Sequence, residues 1–174
     1  MSNWLLPSST VNDASSGLKA WNNINNVKEK NGEVATVSLD FEEDSNYIKC
    51  TDFGFDIPTS ATIIGIQVRV NGQTSSSIIY PLIQLLKEGA LVGWALEEEI
   101  GTVKEDFVYG SSESLNGWSF DGSLTFTPAE INNSGFGCVL SVGNFYEDEE
   151  IQTTSIDSIE INVYYTTLYD IRQF

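Results

Sequence analysis

Acidic side chains and tryptophans are the residues of this sequence whose types could support chemistry. The 174 residues include 25 acidic and 8 basic side chains, four tryptophans and no histidine. A pair of carboxylates can hydrolyse a glycosidic bond, and a cluster of carboxylates can bind Ca²⁺. Because histidine is absent, histidine-based catalytic triads are excluded and a zinc enzyme is disfavoured.

Many of the acidic residues fall in three runs, at positions 42–44, 97–99 and 147–150. None of these runs has the alternating aspartate spacing of a known calcium-binding loop, so solvated surface charge is the favoured interpretation. Among 25 acidic residues, neighbouring carboxylates also occur by chance, and the sequence has no glycine-rich phosphate-binding loop. We therefore predict no catalytic, cofactor-binding or metal-binding residues and no enzyme, with a carboxylate-based hydrolase as the least favoured alternative.

Trp94 and Trp118 lie in or beside predicted loops. An exposed tryptophan would offer a flat face for a sugar ring, whereas a buried one would anchor a loop to the core. Apolar residues and glycines surround both positions, which favours buried anchors. Trp4 and Trp21 are predicted in the same way to attach an N-terminal arm to the body of the protein.

The net charge of −17 limits the possible partners. A field of this sign repels nucleic acid and anionic membranes, so neither is an expected partner. The sequence has no run of 18 apolar residues and no basic segment followed by an apolar one near its start, so we expect neither a membrane span nor a signal peptide. Cys50 and Cys138 each lie in a strand-like run, where two buried free thiols are favoured, although their spacing leaves a single disulfide open.

The elements that would position these residues are short strands with alternating apolar side chains. Two strands are predicted between Phe53 and Val70, separated by Pro58, which donates no backbone N–H. Their inward-facing residues are Phe53, Phe55 and Ile57 in the first strand and Ile64, Ile66, Val68 and Val70 in the second. Asn71-Gly72 follows and favours a type I′ hairpin turn, with Ser75–Leu86 as the partner strand and Pro81 marking an edge or a bulge.

Alternation predicts further strands along the rest of the chain. They are Glu33–Phe41, Tyr47–Phe53, Gly89–Trp94, Phe136–Val142 and Asp157–Thr166, with a small hairpin around Asp121-Gly122. The inward-facing residues are Ala35, Val37, Leu39 and Phe41 in the first strand and Ile159, Ile161, Val163 and Tyr165 in the last. Glu160, Asn162, Tyr164 and Thr166 are predicted to face outward.

One short helical turn is predicted near residues 127–132. Thr127 can cap it, Pro128 suits the first helical position, and Glu130 completes a capping box. The strand count of about eight or nine, with no helical layer, predicts an all-β protein. The expected architecture is an antiparallel β-sandwich, specifically a jelly roll. It would form a single domain over residues 1–174, with an N-terminal arm at about 1–20 and a C-terminal tail at about 167–174.

Four groups of residues stand out by their order and spacing. They are Trp21-Asn22-Asn23; Phe53-x-Phe55-x-Ile57-Pro58-x-x-Ala61-x-Ile63-x-Gly65-Ile66-x-Val68; Leu124–Asn132 with Phe136-Gly137; and Ile156-Asp157-x-Ile159-x-Ile161-x-Val163-Tyr164-Tyr165. Together they extend from about residue 21 to residue 166, and in this order they resemble a recurrent β-sandwich module of virion proteins of tailed phages and prophages. The resemblance implies a structural role without catalysis.

Members of this module family are capsid decoration (cement) proteins or parts of tail fibres and baseplates. The chain has no long stalk or coiled-coil segment, so the resemblance favours a decoration protein that stabilises the shell by bridging capsid subunits. It implies the major capsid protein as partner, a homo-oligomer (a trimer by analogy), and a place on the capsid surface of the virion after synthesis in the host cytoplasm. The alternative is a receptor- or glycan-binding module of a tail or baseplate.

The apolar residues of the arm and the tail are the predicted partner contacts, because a monomer would leave them in water. They are Trp4, Leu5, Leu6, Leu168, Tyr169, Ile171 and Phe174. The alternative, that both segments fold back on their own domain, is equally open.

Overall fold

The computed structural model describes residues 3–75, 79, 81–119, 122–145 and 151–167. These residues form an all-β protein with one short helix, as predicted. The strands are β1 (Ser9–Asp13), β2 (Ala35–Leu39), β3 (Glu43–Asp44), β4 (Tyr47–Thr51), β5 (Thr62–Thr74), β6 (Leu82–Lys87), β7 (Ala90–Glu97), β8 (Glu105–Ser111), β9 (Gly137–Ser141), β10 (Gly143–Asn144) and β11 (Gln152–Thr166). The helix α1 spans Pro128–Ile131, and 3-10 turns span Ile24–Val27 and Asn116–Trp118.

The strands form two antiparallel sheets and one two-stranded ribbon. One sheet has the order β1-β4-β9-β6-β7, the other has the order β2-β11-β5-β8, and β3 pairs with β10. The chain crosses from sheet to sheet between β2, β4, β5 and β6, and again between β7, β8, β9 and β11. This alternation around one shared core confirms the predicted β-sandwich and has the connectivity of a jelly roll.

The central strands β5 and β11 supply much of the core. In their antiparallel register, Val70 is opposite Ile159 and Val68 is opposite Ile161. These side chains belong to one buried cluster together with Leu140 from the other sheet. Because burial of one such side chain contributes roughly 1.5–3 kcal/mol, this pair of strands accounts for a large share of the stabilisation.

The prediction of a hairpin turn at Asn71-Gly72 is wrong, because β5 continues through both residues to Thr74. The partners of Asn71 and Gly72 in β11 are separated by Asp157, which is therefore the extra residue of a β-bulge. Since β11 and β8 pair with β5 on either side of this point, the strand has ladder partners that outweigh the local preference for a turn.

The tight hairpin instead joins β6 to β7 at Glu88-Gly89. Both residues have positive φ, 52° and 83°, as a type I′ turn requires. The predicted partner strand Ser75–Leu86 is also wrong, because β6, which begins at Leu82, pairs with β7 and β9 and not with β5. Residues 76–78 and 80 of the predicted strand lie outside the described residues. β6 lies between β9 and β7, so Pro81 marks neither an edge nor a bulge but the position before the first strand residue, where its missing N–H is tolerated.

The predicted strand over Phe53, Phe55 and Ile57 is wrong in conformation but close in burial. No strand is present in this segment, yet Phe53 and Ile57 are buried and Phe55 packs against the core. In β5, Ile63 pairs with Tyr165 and Gly65 pairs with Tyr164, which leaves Ile64 as a bulge residue.

The bulge in β5 changes which side chains face the core. Ile64 is exposed rather than inward-facing, and its neighbour Ile63 is buried in its place. Tyr165, beyond the bulge, is also exposed, against prediction. Phe41 is exposed as well, because β2 ends at Leu39 and Phe41 falls in the turn that follows.

The predicted helical turn is confirmed at Pro128–Ile131. The hydroxyl of Thr127 accepts a hydrogen bond from the backbone N–H of Glu130 at 3.3 Å, and the Glu130 carboxylate accepts one from the N–H of Thr127 at 2.8 Å. This is the predicted capping box, and it is local because both partners belong to one turn.

Cys50 and Cys138 are buried free thiols, so the favoured state is confirmed. They lie opposite each other in β4 and β9. A hydrogen bond with Cys138 and complete burial raise the pKa of the Cys50 thiol, which keeps it protonated and unreactive at neutral pH.

Some predicted elements lie outside the described residues. This is the case for Phe120 and Asp121 in the predicted hairpin, for the acidic run at 147–150, and for most of the C-terminal tail. The other side of that hairpin, Leu124–Phe126, is not a strand.

Candidate functional site

The acidic runs do not converge on a metal centre in the part of the chain that the structure describes. No group of three or more aspartate, glutamate, cysteine or histidine side chains there is arranged to hold a metal ion. Within the run at 42–44, Glu43 pairs with Lys19 at 3.0 Å. The same described residues include no helix long and apolar enough to cross a bilayer.

Charged side chains come together on the outer face of β5, β8 and β11. Arg69 donates two hydrogen bonds to Glu160, from Nε to Oε2 at 2.9 Å and from Nη2 to Oε1 at 2.8 Å. Asp106 accepts hydrogen bonds from Lys30 Nζ and from Asn71 Nδ2, both at 2.7 Å. Each carboxylate is therefore held by a cation, as in a structural clamp rather than a catalytic pair.

The protonation states of this cluster fit a structural role. Burial alone would raise the pKa of Asp106, but hydrogen bonds from Lys30 and Asn71 and the nearby positive charges outweigh burial and lower it. The pKa of Arg69 is raised, chiefly by its hydrogen bonding to Glu160. Both groups are charged at neutral pH, so neither is poised for proton transfer in a reaction.

Distant residues of the motif series that carries the family resemblance meet in one joint. Asn132 accepts a hydrogen bond from the backbone N–H of Ile57 at 2.8 Å and donates one to its carbonyl at 2.9 Å, although the two residues are 75 positions apart. Phe136 packs edge-to-face on Phe55 and Phe126, with ring centroids 5.7 and 5.6 Å away. These residues therefore hold the scaffold together.

The predicted partner contacts of the N-terminal arm lie against their own domain. Leu5 exchanges two backbone hydrogen bonds of 2.9 Å with Ile161. The Trp4 ring covers the guanidinium of Arg69, with 4.3 Å between the ring centre and Cζ. Leu6 is half-buried, and β1, within the predicted arm, pairs with β4. The four predicted contacts of the tail lie outside the described residues: Leu168, Tyr169, Ile171 and Phe174.

The two tryptophans predicted to be buried anchors differ. Trp118 is fully buried and its Nε1 donates a hydrogen bond to the carbonyl of Ile66 at 2.9 Å, so the prediction for it is confirmed. The prediction for Trp94 is wrong, because 57% of this residue is exposed. Its strand, β7, lies at the edge of its sheet, and only strand order reveals that position.

Trp94 lines an open cleft of about 590 Å³. The polar lining comes from Lys87, Ser119, Ser123 and Thr125, and the apolar lining from Trp94 and Leu124. Lys87 donates a hydrogen bond to the Thr125 carbonyl at 2.8 Å and lies 3.2 Å from the Glu130 carboxylate. The cleft thus places an exposed aromatic ring beside polar groups, and Lys87, the one cationic side chain among the described residues that line it, is already paired.

Trp94 lies in a β-bulge of β7. The register of β7 against β6 shifts there, so that Gln84 alone lies opposite residues 93–95. The Gln84 amide donates a hydrogen bond to the Gly93 carbonyl at 2.9 Å, which connects the two strands across the bulge. Gly93 has a φ of 66°, and a Cβ at this position would clash with the Trp118 carbonyl. Bulges of this kind often re-aim a side chain beside a functional site.

A second exposed feature surrounds Leu18 and Phe145, which are 95% and 65% exposed. Two shallow depressions share Ser16 and Asp44; Leu18 lines one depression and Phe145 the other. We call these four residues the Leu18–Phe145 patch. Further carboxylates lining the two depressions are those of Glu42, Glu43 and Glu97.

The Leu18–Phe145 patch was not predicted from the sequence. The available signal was weak: one large apolar residue directly after Ser15-Ser16-Gly17, and another directly after Asn144. Isolated surface apolar residues are common, so this signal gains meaning only when the fold brings the two together.

The similarity of this chain to known proteins is weak. No family model matches it, and no curated protein matches it. A solved structure of an exo-β-agarase aligns with 89% of this chain at 14% identity and a TM-score of 0.41. The chain spans 24% of the length of that protein. A similarity at this level carries no argument about function.

Proposed function

We propose that the protein is a non-catalytic structural protein of a phage virion, specifically a capsid decoration protein that bridges subunits of the shell. The resemblance of its motif series to virion β-sandwich modules supports this role. The motif residues Asn132 and Ile57 form a joint of the jelly roll. Such a structural role is expected of motif residues in a family whose members share a scaffold.

The observation that carries the proposal is the Leu18–Phe145 patch. Leu18 is 95% and Phe145 is 65% exposed, and docking would remove their apolar surface from water at roughly 25 cal/mol per Å². Asp44 lines both depressions, and the carboxylates that line them outnumber the amine of Lys19, so the charge among the described lining residues is negative. The complementary surface on the major capsid protein is therefore apolar at its centre and basic at its rim.

Decoration at such a surface would work by mass action. A protein that binds the assembled shell, and not the separated subunits, stabilises the assembly by RT ln(1 + L/Kd) per site, where L is its free concentration and Kd its dissociation constant from the shell. A partner site that spans two capsid subunits satisfies this condition. The bound domain would then oppose separation of the subunits when the particle is heated or its internal pressure rises.

Purified particles that lack the protein test this role. We expect the wild-type protein to sediment with such particles and to raise their resistance to heat and osmotic shock. The Leu18→Asp/Phe145→Asp variant should keep the unfolding midpoint of the wild type and lose binding, because it places charge in the apolar contact. Val103→Asp, at another exposed apolar residue outside the patch, is the matched control and should bind normally. No binding by the wild-type protein contradicts the decoration role, and undiminished binding by the double variant contradicts the assignment of the patch.

A further inference from the structure

We propose that the cleft at Trp94 binds a neutral saccharide. This activity is independent of the decoration role, since the cleft shares no lining residue with the Leu18–Phe145 patch. A volume of about 590 Å³ lies within the range of sites for small ligands.

The exposed ring of Trp94 would contact the sugar. A pyranose has C–H bonds on one face and hydroxyl groups around its edge, so it is bound best by a flat apolar surface flanked by hydrogen-bonding groups. Trp94 offers such a surface, because 57% of the residue is exposed and its ring lines the cleft. Tryptophan suits this use because it combines a large apolar face with a polar N–H.

The polar residues that line the cleft would hydrogen-bond to the sugar. Ser119 and Ser123 contribute hydroxyl groups, and a hydroxyl can donate one hydrogen bond and accept two. Ser119 Oγ accepts a hydrogen bond from the backbone N–H of Leu124 at 3.4 Å, which fixes the hydroxyl beside Leu124 in the cleft lining. Sugar hydroxyls have the same dual character, so these side chains can bond to them in addition to their protein partners.

The pairing of Lys87 and the net charge of the protein favour a neutral ligand. Lys87 is the basic residue among the described residues that line the cleft, and it is paired with the Glu130 carboxylate and the Thr125 carbonyl. The protein as a whole carries a net charge of −17, which repels anionic ligands. Sialylated, uronic or phosphorylated glycans are therefore disfavoured relative to uncharged ones.

The backbone at Trp94 is preorganised for ligand binding. The bulge in β7 holds the backbone at Trp94 in place, since the Gln84 amide binds the Gly93 carbonyl and Gly93 packs on the Trp118 carbonyl. A ring whose backbone is already fixed loses less conformational entropy when a ligand binds, which raises affinity. The same edge strand could instead pair with a second copy of the chain, and the experiment distinguishes this occupant from a saccharide.

The test is an NMR titration of the full chain with labelled tryptophan side chains. Neutral probes are cellotriose, maltotriose and β-galactotriose, together with soluble neutral polysaccharide from a bacterial envelope, and 3′-sialyllactose is the anionic comparison. We expect at least one neutral probe to shift the Trp94 indole signal in a saturable way. The Trp118 and Trp21 signals should stay in place, because both indoles are buried and bonded to backbone carbonyls at 2.9 Å.

Two variants locate the binding. Trp94→Ala should weaken binding of the responding probe by about tenfold or more, the effect of losing one aromatic contact. Leu91→Ala is the matched control, because Leu91 is also an exposed apolar residue of β7 but does not line the cleft; its affinity should stay within about twofold of the wild type. The proposal is overturned if no neutral probe moves the Trp94 signal, if Trp94→Ala binds as the wild type does, or if Trp94→Ala changes only self-association.

Discussion

Arg69 and Glu160 form a bidentate ion pair across the neighbouring strands β5 and β11, with donor–acceptor distances of 2.9 and 2.8 Å. Glu160 is only 6% exposed, although the alternation in β11 predicts that it faces solvent. The N-terminal arm accounts for this burial, because Trp4 covers the guanidinium and Leu5 bridges to Ile161. The pair therefore connects the arm to the central strands.

We expect Glu160→Ala to lower the free energy of unfolding by about 3 kcal/mol, because the change leaves the partly buried Arg69 without its main partner. The double variant Arg69→Met/Glu160→Leu should lose clearly less, since it removes both charges together. Urea unfolding at pH 7 measures both values. Equal losses in the single and double variants would show that side-chain packing, rather than the unpaired charge, is the cause.

Asp106 gives the outer charge cluster a defined pH dependence. Its pKa is lower in the folded protein than the value of about 3.9 expected for an unfolded chain. As the pH falls, Asp106 is therefore protonated first in the unfolded state. The stabilisation contributed by its charged form is complete above about pH 4 and is lost as the pH falls through the folded pKa.

The variant Asp106→Asn should remove this contribution. We expect the wild type to be more stable than the variant at pH 6, and the difference to shrink toward pH 3. The measurement is the thermal midpoint of both proteins over that range, with Asp56→Asn, at a surface aspartate outside the cluster, as the control. Parallel curves for the wild type and Asp106→Asn would contradict the assignment.

The tie between Asn132 and Ile57 tests whether the motif series is structural. Asn132→Ala leaves both backbone groups of Ile57 without their side-chain partner, and we expect a loss of about 1–3 kcal/mol. Asn132→Asp keeps the acceptor and loses the donor, so its loss should be smaller at neutral pH. Urea unfolding of both variants provides the comparison, and a neutral Asn132→Ala would argue that these residues are not a joint.

The sequence predicted those features that depend on near neighbours. The capping box of Thr127 and Glu130 is one turn long, and the strand-like alternation in β9 and β11 is a property of consecutive residues. Features that depend on the neighbouring strand were not predictable. Asn71-Gly72 favours a turn locally, yet β8 and β11 pair on both sides and hold it in a strand.

The candidate sites also depend on how the strands are arranged, which near neighbours in the sequence do not determine. Trp94 is exposed because β7 is the last strand of its sheet, and no local pattern gives the order of strands. Leu18 and Phe145 lie more than a hundred positions apart in the sequence, and the two depressions that they line meet at Asp44 only after folding. Both candidate sites therefore depend on the topology of the fold more than on sequence motifs.

Ile64 and Ile66 offer a direct test of the bulge in β5. Ile66 is fully buried, whereas Ile64, two positions earlier and on the same face by simple alternation, is exposed because it is the extra residue. Ile66→Asp should prevent folding, since an unpaired carboxylate in the core costs several kcal/mol. Ile64→Asp should leave the thermal midpoint within a few degrees of the wild type. Circular dichroism and thermal melting of the two variants measure these effects. Equal destabilisation by the two substitutions would show that Ile64 faces the core with Ile66, as simple alternation predicts, and would contradict the bulge.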